Sequence, residues 1–187
     1  AVAGVNYKTA TQSGVTDSEG EFSYLDNETV TFSLGDLIIG EGLAAKAVIT
    51  PVDLIPNAVL YSTSSQVQKV ISSDAKSPER IAFFKLINIL VFLQSLDDDG
   101  NPDNGINIPA GIADLLTNSN INFDDSETDF NKKLRTVAIN ATNSGLLSSG
   151  AVKKASAALD HFYAAQNIVQ SFLTPGTTTT ETFDSFG

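Results

Sequence analysis

The sequence predicts an α+β fold: a small N-terminal antiparallel β-sandwich, then an α-helical bundle around a helix over 78–96, then a C-terminal β tail. Three observations predict it. Residues 1–50 alternate apolar and polar side chains in short runs divided by turn signals, the pattern of half-buried strands. Ile81 to Leu96 is the most apolar stretch of the chain. Thr177 to Phe183 is a β-branched run of high strand propensity. The corresponding divisions are a sandwich module over 1–55, a helical domain over 56–176 and an extended tail over 177–187.

In the first part, Val5 and Tyr7 share a face, as do Phe22 and Tyr24, and Val30, Phe32 and Leu34. Thr29, Thr31 and Ser33 take the opposite face. Ser13-Gly14, Asp17-Ser18-Glu19-Gly20, Asp26-Asn27, Gly35-Asp36 and Gly40-Glu41-Gly42 separate the runs. Thr50-Pro51-Val52-Asp53-Leu54 reads as a helix or turn start, and 55–63 as a connector. A short helix is expected over Ser64–Ala75, with Val67, Val70 and Ile71 inward.

The central helix has a start, a pattern and a stop. Ser77 is a favoured N-cap and Pro78 suits the first helical position, which needs no amide hydrogen. Apolar residues from Ile81 to Leu96 occupy nearly every face, so the helix should be enclosed on most sides. Lys85, Asn88 and Gln94 interrupt the run below the roughly 18 apolar residues that a membrane span requires. Lys85 is the position expected to reach solvent. Beyond it come a short helix over Pro109–Leu116 and a loop over Asn118–Asp124. A helix then starts at Ser126-Glu127-Thr128-Asp129, with Phe130, Leu134, Val137, Ala138 and Ala141 as its apolar stripe, and ends at Gly145. A last helix is expected from Ser149 to Leu173, with Val152, Ala155, Leu159, Phe162, Val169 and Phe172 inward and Pro175-Gly176 as its stop.

The central helix runs into Asp97-Asp98-Asp99-Gly100-Asn101-Pro102-Asp103-Asn104-Gly105. Oxygen donors at alternate positions, Asp97, Asp99, Asn101 and Asp103, suit a hard cation, and calcium is the expected ion. The EF-hand template does not fit: counted from Asp99, Asn104 stands where Gly belongs and Ala110 where the bidentate Glu belongs. The competing reading is a solvated acidic turn. Carboxylates at the negative end of a helix are unfavourable unless compensated, and a cation would compensate them. Asp124, Asp125, Glu127 and Asp129 form a second acidic cluster, read as favourable charge at a helix N-terminus.

Composition bounds the function. Eleven Lys and Arg against 22 Asp and Glu give a net charge of −11 over 187 residues. Nucleic acid and anionic membrane surfaces need a basic face, so both are excluded as expected partners. Direct membrane insertion is not expected either. The chain has no Cys, which removes disulfides and thiolate metal sites, and no Met, even at position 1. A processed or truncated product of an exported bacterial protein, its signal peptide removed, is the expected setting. His161 is the one histidine; Asp160 beside it makes no dyad, because helix neighbours point about 100° apart. No Gly-x-Ser-x-Gly elbow or histidine metal pair is present, so no catalytic residue is assigned and no enzyme is expected.

Gly4-Val5-Asn6-Tyr7-Lys8-Thr9 followed by Gly14-Val15-Thr16-Asp17-Ser18-Glu19-Gly20-Glu21-Phe22-Ser23-Tyr24 resembles the small transthyretin-like sandwich also called carboxypeptidase-regulatory-like. Val30 to Asp36 and Leu96 to Pro102 extend the likeness. Together they are similar to surface lipoproteins and adhesin-like proteins of Gram-negative bacteria, which pair such a β module with a helical segment carrying an "LQSLDxDG" stretch. The likeness covers residues 1–108. It implies a secreted or cell-surface protein and supplies no catalytic residues. Those lipoproteins carry a lipidated Cys ahead of this region, which this chain lacks.

The function expected is therefore a structural or adhesive surface protein, pictured as a filament subunit that self-associates by β-strand exchange. Thr177–Phe183 or the N-terminal Ala1-Val2-Ala3 would be the exchanged strand. The alternative is a calcium-dependent peptide- or glycan-binding module.

Overall fold

The structure, a computed structural model, describes residues 1–166 and 168. The fold is mixed α+β. Strands β1 (Val2–Ala3), β2 (Asn6–Lys8), β3 (Ser13–Val15), β4 (Thr29–Leu34) and β5 (Leu37–Ala44) come first. A 3-10 turn over Pro51–Leu54 leads to helices α1 (Ser64–Ile71) and α2 (Pro78–Ser95). Strand β6 (Ile106–Asn107) and helices α3 (Ile112–Leu116), α4 (Glu127–Asn143) and α5 (Ala155–Ala165) follow. The expected strand Thr177–Phe183, the Pro175-Gly176 stop and the inward positions Val169 and Phe172 lie outside the described residues.

β3-β2-β4-β5 form one antiparallel sheet. β4 and β5 are a tight hairpin: Leu34 pairs with Leu37, and Gly35 takes the left-handed turn at φ 57°. Val30, Phe32 and Leu34 are buried on one face as their spacing predicts. Among the described residues the sheet is not closed into a sandwich. Its inner face joins the same hydrophobic core as α2, through Val30, Phe32, Leu34 and Ile39, with Val5 packed there just before β2. β1 stands apart from this sheet and pairs in parallel with β6. Gly4 permits that pairing: it sits at φ 84°, and a Cβ there would collide with the Ile108 carbonyl.

The Phe22–Tyr24 run does not form a strand. Its rings still share a face, stacked at 5.5 Å, with Phe22 edge-on to Phe32. Nearby backbone amides are bound by side chains instead of a ladder. Asp17 Oδ1 accepts from the amides of Glu19 and Glu21, and Glu28 Oε2 accepts from Leu25. Asx-type capture of this kind competes with strand pairing.

Helix α2 begins as predicted, with the Ser77 hydroxyl accepting from the Arg80 amide and Pro78 in the first turn. It is buried from Leu86 to Ser95 and packs against α1, α4 and α5. Ile81 is the exception: half exposed rather than inward. The polar interruptions are tethers. The Asn88 side-chain amide donates to the carbonyls of Phe123 and Asp125, and that of Gln94 to Ala158. Lys85 reaches the surface and pairs with Asp124. In α4, Ser126 caps the first turn and all of Phe130, Leu134, Val137, Ala138 and Ala141 are buried. α5 starts at Ala155, later than Ser149, because the chain before it is spent on tethers: the Lys153 amide donates to Ser95 Oγ.

A candidate metal centre beyond helix α2

Helix α2 is capped at its C-terminus by Leu96, which is fully buried, and this draws the next residue inward. Asp97 is 2 % exposed. Its Oδ1 accepts from the Asn107 amide at 2.8 Å. Its Oδ2 is buried with no hydrogen-bond partner among the described residues. The charges around it are the carboxylates of Asp99 and Asp98. One oxygen from each of the three lies within 4.8 Å of the others.

The loop is rigidly framed. The Asp98 amide donates to the Asn107 carbonyl, and Asn107 Nδ2 donates to Asp98 Oδ2 at 2.7 Å. Asp99 accepts from the Asn101 amide at 2.7 Å and from Asn104 Nδ2 at 2.8 Å. β1 backs the arrangement: the amides of Ile106 and Ile108 donate to the carbonyls of Ala1 and Ala3. Lys153 Nζ donates to the Gly100 carbonyl at 2.7 Å, bringing one positive charge to the rim.

The electrostatics separate the carboxylates. Burial pushes the Asp97 carboxyl above its ordinary range, and the charges of Asp99 and Asp98 add to the rise. The Asn104 and Asn101 hydrogen bonds hold Asp99 below its ordinary range. Asp97 can donate to Asp99 only when protonated; ionised, its Oδ2 faces charges of its own sign. A buried acceptor left in that position costs free energy that either a proton or a cation removes.

The predicted ligands are thus distributed unevenly. Asp97 and Asp99 are brought together, and with them Asp98. The Asn101 side-chain oxygen accepts from the Asp103 amide and caps the 3-10 turn over Pro102–Asn104. Asp103 points outward and sits 3.4 Å from His161 Nε2. Sequence reasoning missed Asp98 because alternate spacing presumes a freely curling loop. Here β6 fixes Asn107 against Asp97 and Asp98 together. It also missed Lys153, which no local signal connects to the loop.

A cation bound by oxygens at 2.3–2.6 Å can bridge donors up to about 5 Å apart, so three oxygens within 4.8 Å of one another are compatible with calcium. The donor set is all carboxylate, which favours a hard ion over zinc or copper. No protein-family model, curated protein or solved structure matches the chain. Among the described residues, no helix is long and apolar enough to cross a membrane.

Proposed function

We propose that this chain is a non-enzymatic structural or adhesive protein of the cell exterior, its fold fastened by a calcium ion at Asp97, Asp98 and Asp99. The observation that carries the reading is the Asp97 carboxylate, buried and unpaired on Oδ2 between like charges. The ion would join the end of α2 to β6, and through β6 to β1. The sequence likeness to Gram-negative surface proteins and the absence of Cys and Met support an exported setting. Few protein ligands imply affinity at the weak end of the calcium range, which suits calcium-rich extracellular fluid. Calorimetric titration of calcium into chelator-treated full chain tests it. One ion per chain is expected, with weaker response to magnesium; no saturable binding up to millimolar calcium overturns the reading.

A second reading, self-assembly by strand exchange, is favoured by the sheet. Among the described residues β3 pairs with β2 on one side only, and all three of its residues are exposed. An unpaired edge of this kind invites another strand. An exchanged Thr177–Phe183 would supply what a closed sandwich needs, and head-to-tail exchange builds a filament. β1 pairs with β6 within its own chain, which favours the C-terminal run over the N-terminal strand as the donor. Size-exclusion chromatography and negative-stain microscopy of the full chain and of a chain lacking 177–187 decide it. Loss of assembly with a folded monomer supports exchange; assembly unchanged by the deletion rejects it.

A further inference from the structure

We infer that a calcium ion at Asp97, Asp98 and Asp99 faces a cleft that binds the adjacent hydroxyls of a neutral glycan. The inference rests on the calcium reading of the loop and names the ligand of that same site. Calcium takes about six to eight oxygens, and the cluster brings together one oxygen from each of three carboxylates. The remaining positions fall to oxygens from outside the cluster. Asp97 closes the inner side: it is buried, with Oδ2 unpartnered among the described residues. Asp98 is half-buried and Asp99 exposed, and both line an open cleft of about 780 Å3. That volume lies within the roughly 300–1,000 Å3 of small-ligand pockets.

The lining chooses the ligand. Asn6 of β2 and Asp17, just after β3, line the cleft together with Asn104 and Asn107 of the loop. Asn104 and Asn107 each donate one side-chain N–H, to Asp99 and Asp98, and an amide has further donor and acceptor positions for hydroxyls. Among the described residues no Lys or Arg lines the cleft; Lys153 bonds the Gly100 carbonyl and is not in the lining. A doubly charged ion leaves the three carboxylates one negative charge in excess, and Asp17 adds another, so an anionic ligand is repelled. An ammonium group has no lone pair to give calcium. Neutral oxygens remain, and adjacent hydroxyls on a sugar ring present two of them to one ion. A peptide fits less well. Among the described residues no aromatic ring lines the cleft. Leu34, Ile106 and Ile108 in its lining are buried, and Val15 is its exposed large apolar side chain.

The test immobilises the full chain and reads, by interferometry, its response to polyacrylamide glycopolymers bearing mannose, galactose, glucose or fucose. Multivalent display brings weak single-site binding into range. Bare polyacrylamide offers amide carbonyls, the oxygens of a peptide, and a galacturonate-bearing polymer supplies the anion. At least one neutral glycopolymer should bind in millimolar calcium, and the response should fall about fivefold or more in chelator and in Asp99→Asn. Ser18→Gln and Ala110→Gln each place an uncharged side chain at an exposed lining position outside the acidic loop. Both should cut the glycopolymer response several-fold while calorimetric calcium binding stays as in the parent. Calcium binding with no response to any neutral glycopolymer overturns the inference and leaves the calcium reading standing. So does a response that persists in chelator, or one matched by the bare or galacturonate polymer. Full binding in both glutamine variants puts the sugar outside this cleft and also overturns it. Absence of calcium binding overturns both.

Discussion

Two acidic clusters touch helix α2, one just past its C-terminus at Asp97–Asp99 and one beside its middle at Asp124–Asp129. The second is fully provided for. Asp124 pairs with Lys85 at 3.1 Å and Asp125 with Lys133 at 2.6 Å. Glu127 and Asp129 lie in the first turn of α4, where the helix dipole favours negative charge. The first cluster stands at the opposite kind of helix end. Its first carboxylate, Asp97, is buried, and Lys153 bonds the Gly100 carbonyl rather than Asp97. The number of acids is similar; the supply of positive partners is not. What marks a cation site is an unmet charge held in place, and only one cluster has it.

Both clusters lean on α2, so disrupting its packing is the most drastic way to break the comparison. Leu90→Ala should cost about 2–5 kcal/mol, the range for truncating an enclosed leucine. For a chain of this size that is a fall in melting temperature of about 2–4 °C per kcal/mol, read by calorimetry. A loss below about 1 kcal/mol would mean that the helix is not enclosed. Asn88→Ala acts on the second cluster alone. It leaves the carbonyls of Phe123 and Asp125 without their donor and should cost roughly 1–3 kcal/mol. Its melting temperature should still respond to calcium as the parent's does. Lost calcium response in this variant would dissolve the distinction between the clusters.

The pH dependence sharpens the same contrast. Burial raises the Asp97 pKa in the folded protein, so the fold binds that proton more tightly than the unfolded chain does. In chelator, this contribution is therefore fully present in acid and lost as pH rises through the raised pKa. Asp97→Asn keeps the bond from the Asn107 amide and supplies a donor toward Asp99. The variant should match the parent in acid and exceed it by about 1–3 kcal/mol at neutral pH without calcium. A parent more stable than the variant in neutral chelator would contradict the unmet charge. The smallest effect belongs to the second cluster's surface pairs. Lys85→Ala and Lys133→Ala should each cost about 0.2–1 kcal/mol, less in high salt, and leave calcium binding unchanged.

Much of the helical half was legible because its signals are local. Ser77-Pro78 and Ser126 cap their helices through bonds three residues away, and the α4 stripe follows one helical period. The sheet was less so. Whether Phe22–Tyr24 pairs depends on whether Asp17 and Glu28 claim the nearby amides, which alternation alone does not encode. The β1–β6 pairing joins segments about a hundred residues apart, and no short-range pattern announces it. The candidate site divides in the same way. An acidic, oxygen-rich loop was plain from the sequence. The burial of Asp97 and the inclusion of Asp98 were not, since the buried end of α2 and the register of β6 create them.

Calcium titration of the melting temperature, run on the full chain and on Asp97→Asn side by side, tests the central claim most directly. At calcium about a hundredfold above its dissociation constant the parent should gain about 2.7 kcal/mol. Chelator should reverse the gain, and the variant should show little of it. Parallel shifts in parent and variant, or none in either, would contradict a cation held by Asp97, Asp98 and Asp99.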